Sequence, residues 1–300
     1  MISSTHPPSC RGLPIRRFAR FRLLLLLACA GVAAPAQQPF SQLSPADLTH
    51  AYVEHANSYI QHVSSTPDRA QLYTYLILHR DQNFFRGKVT LDQTYLSELI
   101  FIGGLPYIHR LEHNGKPLQG EELDRENEVY AKTIQERTGL TDEVRRKLLR
   151  VKAHSVLPYP LDQLESQFHP EITAHPVFDG HPSILLELTP LHPDAPPALQ
   201  RHIVLTLDAD NLNVLQSHVE LLAPDKGFSQ NTLFVDRNTY FEGTLLPAAN
   251  SIDTIVQIKH LLHHEDLHLI GTEAMTNYRR FTTTVTLKST PNADAPTPPN

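Results

Sequence analysis

His264-Glu265-Asp266-Leu267-His268 reads HExxH. In that spacing two imidazoles four residues apart on one helix face hold zinc, and the intervening glutamate acts as general base on the metal-bound water. Gly271 stands where the longer form of the motif has its glycine, but the further ligand of that form falls at position 274, which is Ala274, with Glu273 one residue out of register. Asp266 puts a charge where such helices carry an uncharged residue. Upstream, Ile252, Thr254, Val256 and Ile258 alternate with the period of a strand, so the stretch is expected as a hairpin or short turn. Residues 37–300 hold 17 of the 18 histidines, and His260, His263, His264 and His268 fall within nine residues, so a pair at this spacing arises readily by composition. The reading adopted is a solvated His-rich turn, whose imidazoles respond to pH near the reference value of ~6.5. The alternatives are a zinc metallopeptidase using His264, Glu265 and His268, or a non-catalytic His-rich metal-binding site.

Other constellations offer less. No Gly-x-Ser-x-Gly elbow precedes a helix, and with 12 glycines there is no glycine-rich phosphate loop. Glu121-Glu122 and the acids from Asp124 to Glu128 read as the solvated face of a helix. Tyr73, Tyr75, Tyr95 and Tyr107 are of a type that lines binding clefts, although aromatic residues in strands ordinarily belong to the core. No residue is therefore assigned a catalytic, cofactor-binding or metal-ligating role, and no cofactor is expected.

The chain has 300 residues, 40% of them hydrophobic and 19% charged, which fits a globular protein and excludes a wholly disordered or collagen-like one. Arg11, Arg16, Arg17, Arg20 and Arg22 precede the run Leu23 to Leu27 and then small residues through Ala36, with no acid in the stretch. That is the layout of a secretory signal peptide over residues 1–36, with cleavage after Ala34-Pro35-Ala36. A competing reading takes Leu26-Leu27-Ala28-Cys29 as a lipobox, so that a lipid on Cys29 would bring the protein into peripheral membrane contact. Cleavage at 36 removes five cations and no anion, turning 26 Lys+Arg against 32 Asp+Glu into 21 against 32, a net charge of −11. A negative chain without a basic, aromatic-interleaved patch excludes nucleic acid as partner. Cys10 and Cys29, the two cysteines, both precede the expected cleavage site, which leaves no disulfide or thiolate chemistry. The expected destination is the periplasm or the secreted medium.

The elements that must position any site follow from period. Ser44-Pro45 opens a helix whose stripe runs Leu48, Tyr52, Ala56, Tyr59 and Val63. From about residue 70 the period changes to two, giving strands over 72–78, 89–101 and 105–113, the last ending at the turn Asn114-Gly115. A charged helical insert spans about 121–150 and splits near Gly139, with Thr141 as N-cap. A short helical turn or two covers Leu161 to Phe168. Strands follow at 184–188, 202–208, 214–222, 232–236, 240–246, 252–259 and 281–288, and 290–300 is a disordered tail. The fold class is α+β: one domain over 41–289 with a curved antiparallel sheet, a half-barrel, whose one face is covered by helices and packed by Leu48, Tyr52, Ala56 and Tyr59.

Particular residues carry a family resemblance. They are Gly104 to Tyr107, Arg110-Leu111, Asn114-Gly115-Lys116-Pro117-Leu118, Phe168, Asp179-Gly180-His181-Pro182 and Asn277-Tyr278-Arg279-Arg280-Phe281. In these pieces and in its element order the chain resembles a family of exported bacterial proteins related to the periplasmic lipoprotein-carrier (outer-membrane lipoprotein-sorting) superfamily. The resemblance implies a non-enzymatic carrier or binding module for a hydrophobic or acylated ligand, held in an apolar cleft whose walls come from strands 72–78 and 89–101. The insert at 121–150 departs from the family pattern and would either cap that cleft or pack beside it.

Overall fold

The computed structural model describes residues 39–65, 73–155, 158–259 and 264–281. The basic segment 1–36, the strand expected beyond Phe281, the tail 290–300, and His260 and His263 lie outside the described residues.

Helix α1 spans Pro45–Ser65. Ser44 caps it: the Ser44 hydroxyl accepts from the Asp47 N–H at 3.2 Å and donates to the Asp47 carboxylate at 2.6 Å. Leu48 and Tyr52 are buried and Ala56 half-buried, as the stripe requires, but Tyr59 is 49% exposed and Val53 and Ile60 take the inward places instead. At about 100° per residue Tyr59 falls between Leu48 and Tyr52 on the helical wheel, so it shares their angular sector and its exposure is not a matter of helical period.

Among the described residues, twelve strands form one open antiparallel sheet. Strands β1 (Tyr73–Phe85), β2 (Lys88–Ile102), β3 (Leu105–His113) and the short β4 (Lys116–Pro117) make a first meander. Asn114 and Gly115 turn between β3 and β4 with φ of 52° and 72°, as expected of that pair. Helices α2 (Glu121–Thr138), α3 (Asp142–Ser155) and the single turn α4 (Leu164–Gln167) follow. Then come β5 (Phe168–Ala174), β6 (Val177–Phe178), β7 (His181–Pro190), β8 (Arg201–Asp208), β9 (Val214–Leu221), β10 (Leu233–Phe241), β11 (Thr244–Lys259) and β12 (His264–Arg280). The order across the sheet is β4-β3-β2-β1-β12-β11-β10-β9-β8-β7-β5, with β6 paired to β7. Because β12 returns to lie between β11 and β1, the two meanders fuse into one surface. Register shifts, such as those at Asn83/Phe84, Leu96/Ser97 and Arg237/Asn238, bend the strands and give the sheet its curvature.

Several boundaries differ from the sequence expectation. Phe168 opens β5 instead of closing a helical turn, and the segments expected as three strands between 232 and 259 are two, joined at Glu242-Gly243. The stretch His264 to His268, expected as a hairpin or short turn, instead opens the 17-residue β12. Polar residues stand on both of its faces, so its period of two carries little hydrophobic contrast.

The principal core lies over one half of the sheet. Leu48, Tyr52 and Ile60 of α1 pack with Leu164 and Phe168 onto Ile184, Leu186 and Leu188 of β7 and Ile203, Leu205 and Leu207 of β8. A second, small cluster joins Ile77, Leu99 and Met275 of β1, β2 and β12. The insert divides at Gly139 as expected, with the Thr141 hydroxyl accepting from the Val144 N–H at 3.4 Å. Helix α2 leans on the β2–β3 turn, so closely that a Cβ on Gly103 would stand 2.8 Å from the Arg137 carbonyl oxygen. Arg137 in turn donates to the carbonyls of Leu105 and Pro106, each at 3.0 Å.

Candidate functional site

The HExxH segment does not form the helix its chemistry needs. Positions 264–268 open β12, which pairs with β11 down to Lys259↔His264. Four steps along a strand separate two positions by about 13 Å, against about 6 Å in a helix, too far for one zinc ion with ligands at ~2.0 Å. His268 Nε2 instead lies 2.5 Å from Asp253 Oδ1, and Arg86 donates to Glu265 at 2.7 Å. Among the described residues no group of three or more His, Cys, Asp or Glu side chains is placed to hold a metal ion.

The structure's notable concavity is elsewhere, on the face of the sheet that α1 covers farther along. A groove of about 700 Å³ lies over β9 to β12 and β1, walled by the loops that carry Pro158 to Pro160, Ala198 and Asp225 to Phe228. Its floor is set by register. One row of cross-strand partners runs Leu188, Ile203, Val219, Phe234, Ile252, Gly271, Asp81, Gln93. The next runs Leu186, Leu205, Ser217, Asp236, Asn250, Glu273, His79, Tyr95, His113. Both rows begin apolar under α1 and become polar toward β1.

The polar stretch is hydrogen-bonded from strand to strand, as buried polar groups must be. Ser217 Oγ donates to Asp236 at 3.3 Å, and Asn250 Nδ2 to Glu273 at 2.6 Å. His79 stands between two carboxylates, its Nδ1 3.2 Å from Glu273 and its Nε2 2.8 Å from Asp81. Gln93 donates to Asp81 at 3.2 Å, and beyond it Tyr95 stacks on His113 at 4.6 Å. Burial pushes the Asp236 carboxyl above its ordinary value, and the nearby Glu273 carboxylate adds to the rise while the Ser217 hydrogen bond opposes it.

The walls are apolar and fixed from behind. Phe228 meets Phe234 edge to face at 5.2 Å, beside Leu221 and Ile252. Tyr159 shares a 2.6 Å hydroxyl–hydroxyl hydrogen bond with Tyr52 of α1. Burial pushes Tyr52 up to about 12 and Tyr159 well above its usual range. Arg201 locks three loops at once, donating to the carbonyls of Pro158 and Ala198 and, at 2.5 Å, to the Asp225 carboxylate.

The cleft walls expected from strands 72–78 and 89–101 are thus displaced. Tyr73 and Tyr107 are buried, and Tyr75 packs in the small cluster with Tyr278. Of the four tyrosines singled out, Tyr95 alone stands in the rows that form the floor. Glu121-Glu122 and the acids from Asp124 to Glu128 lie on α2, away from the groove lining. Sequence reasoning missed Asp81, Asp236, Asn250 and Glu273, because single polar residues within strands read as solvent-facing until register shows which face they share.

Distant likenesses to solved structures exist. One is a DUF1329 family protein from Desulfovibrio piger, with 12% identity, 79% of this chain and 94% of that chain covered, and a TM-score of 0.30. Another is a LolA superfamily protein from Nitrosomonas europaea, with 9% identity, 77% and 93% coverage, and a TM-score of 0.26. A third is an outer membrane lipoprotein-sorting protein domain from Vibrio parahaemolyticus, with 7% identity, 76% and 94% coverage, and a TM-score of 0.28. No protein-family model and no curated protein matches the chain. At such TM-scores the likeness carries no argument about what the groove holds.

Proposed function

We propose that this chain is a non-enzymatic periplasmic binding or carrier protein whose ligand, bearing a hydrophobic or acylated portion, lies in the inner-face groove. The observation that carries the reading is the groove of about 700 Å³, walled by Leu221, Phe228, Phe234 and Ile252 and held open by the Arg201 ties behind it. Its size and its mix of apolar wall with a few convergent polar groups are those of a small-molecule site. Export rests on the arginine-led segment 1–36, and the mature chain begins at Gln37 or at an acylated Cys29. Residues 41–289 act as one folded unit in this reading.

Native mass spectrometry of protein purified gently from its own periplasm tests it, joined to titration with the apolar fluorophore N-phenyl-1-naphthylamine. The expected result is a co-purified lipid-sized mass or saturable probe binding that Phe228→Asp weakens. A bare protein mass together with no saturable probe binding would defeat the proposal. The same spectra read the mature N-terminus, and an intact Met1 would defeat export.

A further inference from the structure

In the middle of the groove floor sits a glycine that the backbone does not require. Gly271 is absent from the left-handed positions of the chain and lies deep inside the 17-residue β12, between Ile252 of β11 and Asp81 of β1. Glycine within a strand costs about 0.5–1 kcal/mol relative to alanine and leaves nothing to pack. What the position does require is space: a Cβ there would stand 3.1 Å from Ile252 Cγ2 and 3.8 Å from Asp81 Oδ1. The missing side chain opens a notch where the apolar stretch of one row, Phe234 and Ile252, meets its polar stretch, Asp81 and Gln93. The adjoining row places Asp236 and Glu273 beside the same notch.

The charge at this junction is one-sided. Four carboxylates line the groove, Asp81, Asp225, Asp236 and Glu273, against two cations, Arg201 and Lys226. Arg201 lines the groove with its donors already engaged by Asp225 and two carbonyls, and Lys226 belongs to the exposed loop, so the floor itself presents Asp81, Asp236, Glu273 and His79. In a partly desolvated cleft such a field favours a positive charge with N–H donors.

We infer that the groove selects amphiphiles with a cationic, hydrogen-bond-donating head, the head seated over Asp81 and Glu273 at the Gly271 notch and the apolar body along Ile252, Phe234 and Phe228. The inference rests on the binding reading above and deepens it. The Asp236 carboxylate, whose ionisation burial disfavours, gains a counter-charge when such a head binds.

Displacement of N-phenyl-1-naphthylamine by amphiphiles matched in chain length tests it, using the full mature chain near neutral pH. Dodecylammonium is expected to displace the probe at about tenfold lower concentration than dodecanoate, the size of one charge-assisted hydrogen bond. Dodecyltrimethylammonium, which lacks N–H donors, should fall between them. In Glu273→Gln and Asp81→Asn the preference should collapse. Gly271→Ala, the smallest filling of the notch, should weaken all three amphiphiles while circular dichroism shows an intact fold, Ile252 Cγ2 giving way by a few tenths of an ångström. Binding of all three without preference, a preference for dodecanoate, or a preference that survives both carboxylate variants would overturn the inference and leave the binding reading standing. Failure of the probe and of every amphiphile to bind would remove both.

Discussion

Replacing Tyr52 by Phe tests whether helix α1 and the groove wall are coupled through one buried contact. The Tyr52 and Tyr159 hydroxyls lie 2.6 Å apart, and both side chains are buried. Tyr52→Phe keeps the ring and strips Tyr159 of its hydroxyl partner, which costs about 1–3 kcal/mol for a buried group left unsatisfied. At roughly 2–4 °C per kcal/mol for a fold of this length, a central value of ~2 kcal/mol lowers Tm by about 4–8 °C. Tyr52→Phe/Tyr159→Phe removes both hydroxyls together, so the double variant should be more stable than either single one. Urea unfolding followed by circular dichroism, with unchanged m-values, measures the cycle. Additive losses would refute the coupling. The same pair sets an alkaline limit. Below pH ~10 neither state ionises, whereas between about 10 and 12 the unfolded chain releases protons that folded Tyr52 retains, so stability falls as pH rises. Complete displacement from 10 to about 12 corresponds to roughly 3 kcal/mol for Tyr52, and the double Phe variant should withstand alkali better than wild type.

Arg201→Ala leaves the Asp225 carboxylate buried without its partner and should cost about 3–5 kcal/mol in chemical unfolding, with loss of probe binding as the wall loops come apart. Asp236→Asn should stabilise the fold at neutral pH and lose that advantage in acid. The folded carboxyl binds its proton more readily than the unfolded one, so the cost of ionising it is full above the folded pKa and relieved as pH falls through it; an advantage that instead grows in acid contradicts this sign. Glu265→Gln should leave amphiphile displacement unchanged and shift stability by less than about 1 kcal/mol, since Glu265 meets the exposed Arg86 on a strand. Stoichiometric zinc with peptidase activity abolished by that substitution would contradict the strand geometry.

Turn chemistry made much of the fold legible in advance. Several of the residues that carry the family resemblance reverse the chain: Gly104 at the β2–β3 turn, Asn114-Gly115 between β3 and β4, and Asp179-Gly180 between β6 and β7. Such residues specify topology and say little of ligand, so the fold was readable and the site was not. Helix α1 was legible because its apolar stripe contrasts with a polar face; the period puts Tyr59 within that stripe, yet the residue stays half exposed, since a period gives the face a residue shares and not what covers it. Strand β12 was illegible for the opposite reason. Its inner positions include Leu267, Leu269, Gly271, Glu273 and Met275, a sequence whose polarity changes along one face, so the period of two is present in geometry and hidden in hydropathy.

That change of polarity along a face also explains why the groove is open. Helix α1, about 31 Å long for its 21 residues, covers β5, β7 and β8, where the inner rows are Leu186, Leu188, Ile203 and Leu205. Had the helical layer continued over β10 to β12 and β1, it would have buried Asp236, Glu273, His79 and Asp81 against apolar atoms, at a cost of several kcal/mol for each charge. The same two registered rows therefore divide the sheet by strand: the leucine end is closed and supplies stability, and the carboxylate end must stay wet or take a ligand. Gly271 lies at that division, with Ile252 on one side and Asp81 on the other, where an apolar chain leaving Ile252 first meets a carboxylate. A substitution that turned Glu273 and Asp81 apolar would invite the loops of residues 158–160 and 225–228 to collapse onto the floor, exchanging the binding cleft for a larger core.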